Sequence, residues 1–144
     1  MSGKLDLSPF RDALEELEKT YTRAMTPDIR ADHEVYNVYR TAVVKGYEYT
    51  YSLSVKYIER FIEMQGTERI TDDDINFRDL LRIALEYGII CDIDAWLDYR
   101  NNRNATSHGY QASIADRIFK AAPALIQDAH FTLSAIDHSL QGMP

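Results

Sequence analysis

The residue types suited to chemistry on a phosphate ester lie close together in the second half of the chain. Four residues separate Arg103 from His108, and Tyr110 stands two residues after the histidine. Asn104 follows the arginine directly. A guanidinium group presents a planar fork of donors to phosphate oxygens, and a histidine, whose unperturbed pKa is about 6.5, exchanges protons near neutral pH. The pattern therefore predicts a site that binds a phosphate and moves a proton.

The segment around this pattern is unusually polar for the middle of a domain. The ten residues from Arg100 to Gly109 contain one alanine and no larger hydrophobe. Burying them would leave amides and guanidinium groups without partners, at about 1–3 kcal/mol for each group. One interpretation is a solvated helix end with a loop, for which Gly109 is a typical stop signal. The other is the lining of a cleft or site, which the order of Arg103, His108 and Tyr110 favours.

The same residues resemble the signature of HEPN-domain ribonucleases, specifically the toxins encoded beside a minimal nucleotidyltransferase. Further blocks resemble that subfamily in the same order, and the resemblance covers roughly residues 32 to 140. These blocks are Gly88-Ile89-Ile90, Trp96-Leu97, and Lys45-Gly46-Tyr47-Glu48-Tyr49-Thr50-Tyr51 running to Val55-Lys56. The chain departs from the subfamily at Ser52, where relatives often carry a glutamate.

The resemblance, together with the positive charge that RNA binding requires, implies roles for six polar residues. Arg103 and His108 are the expected catalytic residues of a metal-independent endoribonuclease that needs no cofactor. Asn104 is expected to hold the phosphate or orient His108, while Arg100 and Lys56 are expected to bind RNA. Tyr110 is the expected regulatory residue, to which the partner nucleotidyltransferase transfers adenylate.

The resemblance also implies partners, and it leaves a second function open. The expected partners are an RNA substrate, the nucleotidyltransferase antitoxin and a second copy of the chain, since such domains pair so that two motifs face one cleft. Proteins that resemble this one were also viewed as non-catalytic substrate-binding subunits of the nucleotidyltransferase. Arg103, His108 and Tyr110 would then form a docking or acceptor surface. A purely structural bundle, with His108 a hydrogen bonder at a helix end, is a third interpretation.

Composition limits the class of protein. At 144 residues, with 45% hydrophobic and 27% charged residues, the sequence predicts a single globular domain, 1–144. The net charge of -7 argues against a general nucleic-acid binder, so any basic surface must be local. The one cysteine suits a reducing compartment, and no apolar run approaches the roughly 20 residues of a membrane span. We therefore expect a cytoplasmic protein without a membrane partner.

The run Asp72-Asp73-Asp74 is better explained as negative charge before the start of a helix than as a metal site.

Hydrophobic periodicity predicts an all-α, up-and-down antiparallel bundle of about five helices, and the resemblance implies that this bundle is HEPN-like. The first predicted helix begins at Ser8, with that serine as the cap. The next two cover about 31–64 and 76–87. The fourth runs from Asp92 or Asp94 to near Thr106, and the fifth covers about 112–140. The two long helices are expected to pack antiparallel, with a buried linker at Ile89-Ile90-Cys91. Trp96, Arg100 and Arg103 share one face of the fourth helix, so the indole is expected to wall the surface that carries both arginines. Pro123 is expected to kink the fifth helix.

Overall fold

The computed structural model describes residues 5–66, 76–106 and 111–142, and every regular element among these residues is a helix. The helices are α1 Ser8–Ala24, α2 Pro27–Ala31, α3 His33–Met64, α4 Phe77–Glu86, α5 Ile93–Ala105 and α6 Ala112–Gln141. The all-α prediction is confirmed. The described part of the chain has six helices where about five were predicted, because Pro27 begins the short α2 between α1 and α3.

Two helix starts show how local sequence sets the element boundaries. Asp32 caps α3, since its Oδ1 accepts hydrogen bonds from the backbone N–H groups of Glu34, at 3.1 Å, and Val35, at 3.3 Å. The prediction that Ser8 caps α1 was wrong. Ser8 is the first residue of α1, and its N–H donates to Asp6 Oδ1 at 3.0 Å. The aspartate, two residues earlier, therefore accepts the bond.

Helix α1 packs closely along α3 and runs antiparallel to it. Leu17 lies against Gly46, where a Cβ atom would stand 3.0 Å from Leu17 Cδ1. Closer to the start of α1, the Phe10 ring stacks on Tyr57 with centroids 5.6 Å apart. Residue numbers thus fall along α1 as they rise along α3. The glycine permits this approach because it has no side chain.

Helix α6 also runs antiparallel to α1. Tyr21 packs on Phe119, with ring centroids 4.9 Å apart, and Glu18 Oε1 lies 2.9 Å from His130 Nε2, farther along α6. Since α3 and α6 both oppose α1, the two long helices run in the same general direction. The expectation that they pack antiparallel was therefore wrong, because α5 returns the chain between them.

Glycines end two helices, and the connection from α4 to α5 is short and partly buried. Gly66 and Gly88 follow α3 and α4 with φ of +74° and +76°, a backbone conformation that glycine adopts without strain. Ile89 and Ile90 are buried, as predicted, but Cys91 is exposed. Helix α6 continues through Pro123. No helix in the described part of the chain is long and apolar enough to cross a membrane.

Candidate functional site at the end of α5

Helix α5 carries the polar stretch and is anchored by its first half. Asp92 caps it by accepting a hydrogen bond from the N–H of Asp94 at 3.0 Å. Trp96 is fully buried, and its ring packs against those of Tyr51 and Tyr99, with centroids 6.3 and 5.2 Å away. The expectation that Trp96 walls the arginine surface was wrong. The indole belongs to the core, which holds α5 in place against α3.

A hydrogen-bond network joins α5 to both long helices. The Tyr47 hydroxyl, on α3, donates to the backbone oxygen of Tyr99 at 3.3 Å, and Asn102 Nδ2 donates to the Tyr47 hydroxyl at 3.3 Å. The Tyr99 hydroxyl donates to Asp128 Oδ2 on α6 at 2.5 Å. These bonds fix the rotation of α5 about its axis, and thereby the direction of its remaining side chains.

The electrostatic environment of this network is dominated by burial. Burial raises the pKa of Tyr47 to about 12, against smaller opposing effects of the Asn102 hydrogen bond and the Arg117 charge. Burial, followed by the hydrogen bond to Asp128, also raises the pKa of Tyr99. Both phenols therefore stay protonated at neutral pH and serve as hydrogen-bond donors rather than as bases.

The two arginines of the polar stretch lie on the exposed side of α5. Arg100 and Arg103 are both exposed, and the Arg100 guanidinium carbon stands 4.8 Å from the centroid of the Phe77 ring on α4. The pKa of Tyr51 is raised, mainly by burial. The charges of Arg100 and Arg103 oppose this increase and make it smaller. Two exposed positive charges, three residues apart on α5, thus occur in a protein whose net charge is -7.

A third arginine belongs to the same end of the bundle. Arg117 Nε, on the second turn of α6, donates to Asn102 Oδ1 at 3.0 Å. The Asn102 amide therefore contacts both Tyr47 on α3 and the Arg117 guanidinium on α6. Asn102 directly precedes Arg103 in the chain. The pairing with Asn102 joins residues 15 positions apart, and no local pattern predicts it.

The remaining predicted site residues are distributed as follows. Asn104 is exposed next to Arg103, and Thr106 Oγ1 donates to the Arg103 backbone oxygen at 2.8 Å at the end of the helix. Lys56 is exposed on α3, as is Ser52. His108 and Tyr110, with residues 107–110, and the acidic run 72–74 lie outside the described residues. The structure thus brings Arg100, Arg103 and Asn104 to one helix end.

The chain belongs to the family described as "Nucleotidyltransferase substrate binding protein like", whose model matches residues 5–137. It is 30% identical over 146 residues to "Probable ribonuclease HepT" of Haemophilus influenzae, with 94% of each chain covered. The predicted resemblance to HEPN toxins encoded beside a nucleotidyltransferase is thereby confirmed at the level of family.

A solved structure supports the same assignment of fold. It comes from Haemophilus influenzae and is described as revealing the fold of a substrate binding domain of a nucleotidyltransferase. The two chains are 25% identical and superpose with a TM-score of 0.84, and the match covers 92% of this chain and 99% of that one.

Proposed function

We propose that this protein is a metal-independent endoribonuclease and the toxin of a type II toxin–antitoxin module. The observation that carries the proposal is the exposed Arg103 in the last turn of α5, five residues before His108. The relative named "Probable ribonuclease HepT" supports ribonuclease activity. The acidic net charge of -7 agrees with RNA binding only at a local basic surface, such as that formed by Arg100 and Arg103.

The proposed reaction uses the nucleophile that RNA itself carries. His108 accepts the proton of the 2′-hydroxyl while that oxygen forms a bond to the adjacent phosphorus. The bond from phosphorus to the 5′-oxygen breaks, and the leaving oxygen takes up a proton from the imidazolium. Arg103 binds the non-bridging oxygens, where negative charge develops. The products are a 2′,3′-cyclic phosphate and a 5′-hydroxyl end.

The other polar residues bind the substrate or regulate the site. Asn104 holds the phosphate or orients His108, while Arg100 and Lys56 contact the RNA backbone. Tyr110 is the acceptor through which the partner silences the toxin. Its phenol oxygen attacks the α-phosphorus of ATP in the nucleotidyltransferase, pyrophosphate leaves, and the phenolic proton passes to solvent or to the partner. The added adenylate brings negative charge and bulk beside Arg103.

The second candidate is a non-catalytic substrate-binding subunit of the nucleotidyltransferase. The description of the family and that of the solved relative both favour it. In this case the end of α5 is a docking surface, and the purified chain cuts no RNA. Cleavage by the chain alone therefore separates the two functions.

Replacing Arg103 with lysine should slow RNA cleavage about 10- to 100-fold, because an ammonium keeps the charge but loses the two-pronged phosphate contact. The measurement is the rate of cleavage of single-stranded RNA in excess chelator, with circular dichroism to establish folding. Arg23→Lys, on the exposed end of α1, is the matched control and should cleave like the wild type. Equal rates for the Arg103→Lys variant and the wild type would contradict the role of the guanidinium.

We also propose a two-fold homodimer in which the α5 ends of two copies face one groove. The supporting observation is the exposed polar surface of α5, including Asn101 and Arg103, beside its buried aromatic anchor. In a Cys91→Ser background, Asn101→Cys should cross-link two copies, whereas Glu16→Cys on α1 should not. Sedimentation at micromolar concentration should give a dimer. A monomer under those conditions would remove this part of the proposal.

A further inference from the structure

A cavity of about 220 Å³ lies between α3, the end of α5 and the start of α6. It is lined by Thr41, Val44, Lys45, Glu48, Thr106, Gln111, Ile114 and Ala115. The four residues from α3 recur at spacings of three and four and so share one face of that helix. Thr106 and Gln111 are the chain neighbours of the segment 107–110, which contains His108 and Tyr110. The cavity thus belongs to the same end of the bundle as the polar stretch.

The lining combines an apolar base with a polar rim. Val44 and Ala115 are buried, and Ile114 is half-buried. Hydroxyl, amide and carboxyl groups of Thr41, Gln111 and Glu48 supply the rim. A flat aromatic ring with polar edges fits such a site, since its faces contact the apolar groups and its edge meets the rim.

The volume of the cavity limits the size of ligand that fits it. Cavities that hold drug-sized ligands measure about 300–1,000 Å³, and this one is smaller, at about 220 Å³. It accommodates one ring system rather than a whole dinucleotide. A single nucleobase, with its sugar and phosphate outside, is a group of the right size and shape.

An ion pair and a hydrogen bond join the helices that form the walls of the cavity. Arg40, which precedes Thr41, pairs with Asp116 on α6 at 3.1 Å. Arg117, the next residue of α6, donates to Asn102 on α5 at 3.0 Å. These contacts join α3 to α6 and α6 to α5. A site whose walls are preformed in this way loses little entropy when a ligand binds.

Glu48 brings a carboxylate to the lining of the cavity. A carboxylate only accepts hydrogen bonds, and its two oxygens match a pair of adjacent donors. Guanine alone among the RNA bases presents two donors side by side on its Watson–Crick edge, from its ring N–H and its 2-amino group. The present neighbour of the carboxylate is weak, since Lys45 Nζ stands 3.7 Å away on a side chain that is 76% exposed. A ligand can displace this surface pair.

We propose that this cavity is a nucleobase subsite and that Glu48 makes it selective for guanine. The inference rests on the proposed ribonuclease function for the source of the base, which is a guanosine next to the cut phosphate. A free guanine nucleotide offers the same chemistry, and the test distinguishes the two sources.

The test measures binding of GMP, IMP, AMP, CMP and UMP to the full chain by calorimetry. GMP should bind at least fivefold tighter than AMP, CMP or UMP, and IMP should bind about tenfold weaker than GMP, since inosine lacks the 2-amino donor. Glu48→Gln should weaken GMP binding at least fivefold. Glu63→Gln, on an exposed residue about 22 Å farther along α3, is the control and should leave it unchanged. Differences in affinity smaller than these overturn the inference. The comparison of GMP with IMP uses the wild-type chain alone, so it does not depend on the folding of a variant.

A second arm uses RNA oligonucleotides in which one guanosine is replaced by inosine. Slower cutting beside inosine by the wild type, with no such difference in Glu48→Gln, identifies RNA as the source of the base. Cleavage without any base preference, together with equal nucleotide affinities, removes the subsite and leaves the ribonuclease proposal standing. Selective GMP binding by a chain that cuts no RNA keeps the subsite and removes the ribonuclease proposal.

Discussion

Replacing His108 with alanine should reduce the rate of RNA cleavage by a factor of about 10² to 10⁴, the usual contribution of a general acid–base group. The imidazole is the only side chain of the polar stretch from 100 to 109 whose unperturbed pKa lies near neutral pH. Arginine stays protonated in this range and cannot replace it. The measurement is the single-turnover rate on a fluorescent single-stranded RNA in excess chelator.

The control for this prediction is a second histidine placed far from the site. His138 is exposed in the last turn of α6, roughly 40 Å along that helix from its start beside α5. His138→Ala should cut RNA at the wild-type rate. If the His108→Ala variant folds and cuts like the wild type, another residue carries the proton and the proposed mechanism is wrong.

Incubation with the partner nucleotidyltransferase, ATP and magnesium should add one adenylate to Tyr110 and abolish cleavage. The added group is negatively charged and follows His108 by two residues, where it opposes RNA binding by charge and by bulk. Tyr110→Phe should retain most of the cleavage rate, because the phenol does not move the proton in the proposed reaction. That variant should also stay active in the presence of the transferase.

Intact-mass spectrometry of the treated chain and of its peptides measures the modification. Tyr49 provides the matched control, since this tyrosine on α3 is 60% exposed. Tyr49→Phe should be adenylylated and silenced like the wild type. Adenylate on a residue other than Tyr110, or a Tyr110→Phe variant that is still silenced, would assign the regulation elsewhere.

The helices themselves were largely readable from the sequence, since their boundaries depend on local chemistry. The predicted helices 31–64 and 76–87 match α3 and α4 within two residues at each end, and α5 begins beside Asp92, one of its two predicted starts. The short α2 was missed because its five residues are too few to show a period. The relative direction of the long helices was also missed, because it depends on how α5 returns the chain and not on either helix alone.

The candidate site was predictable in its residues but not in its supports. Periodicity places Trp96 and Arg103 on one face, yet the indole is buried and the arginine is exposed. A period gives the angle around a helix axis, whereas burial depends on how far the neighbouring helices extend along that axis. The link from Tyr47 to Asn102 joins residues 55 positions apart, so only the folded chain shows it.

The proposed attack by the 2′-hydroxyl determines the chemical identity of the RNA ends. The wild-type chain, purified without its partner, is incubated with a single-stranded RNA of defined sequence in excess chelator, and the fragments are analysed by mass spectrometry. Attack by the 2′-hydroxyl predicts one fragment with a 2′,3′-cyclic phosphate and one with a 5′-hydroxyl, both absent from the His108→Ala reaction. Fragments with 5′-phosphate and 3′-hydroxyl ends, or intact RNA throughout, would contradict the account.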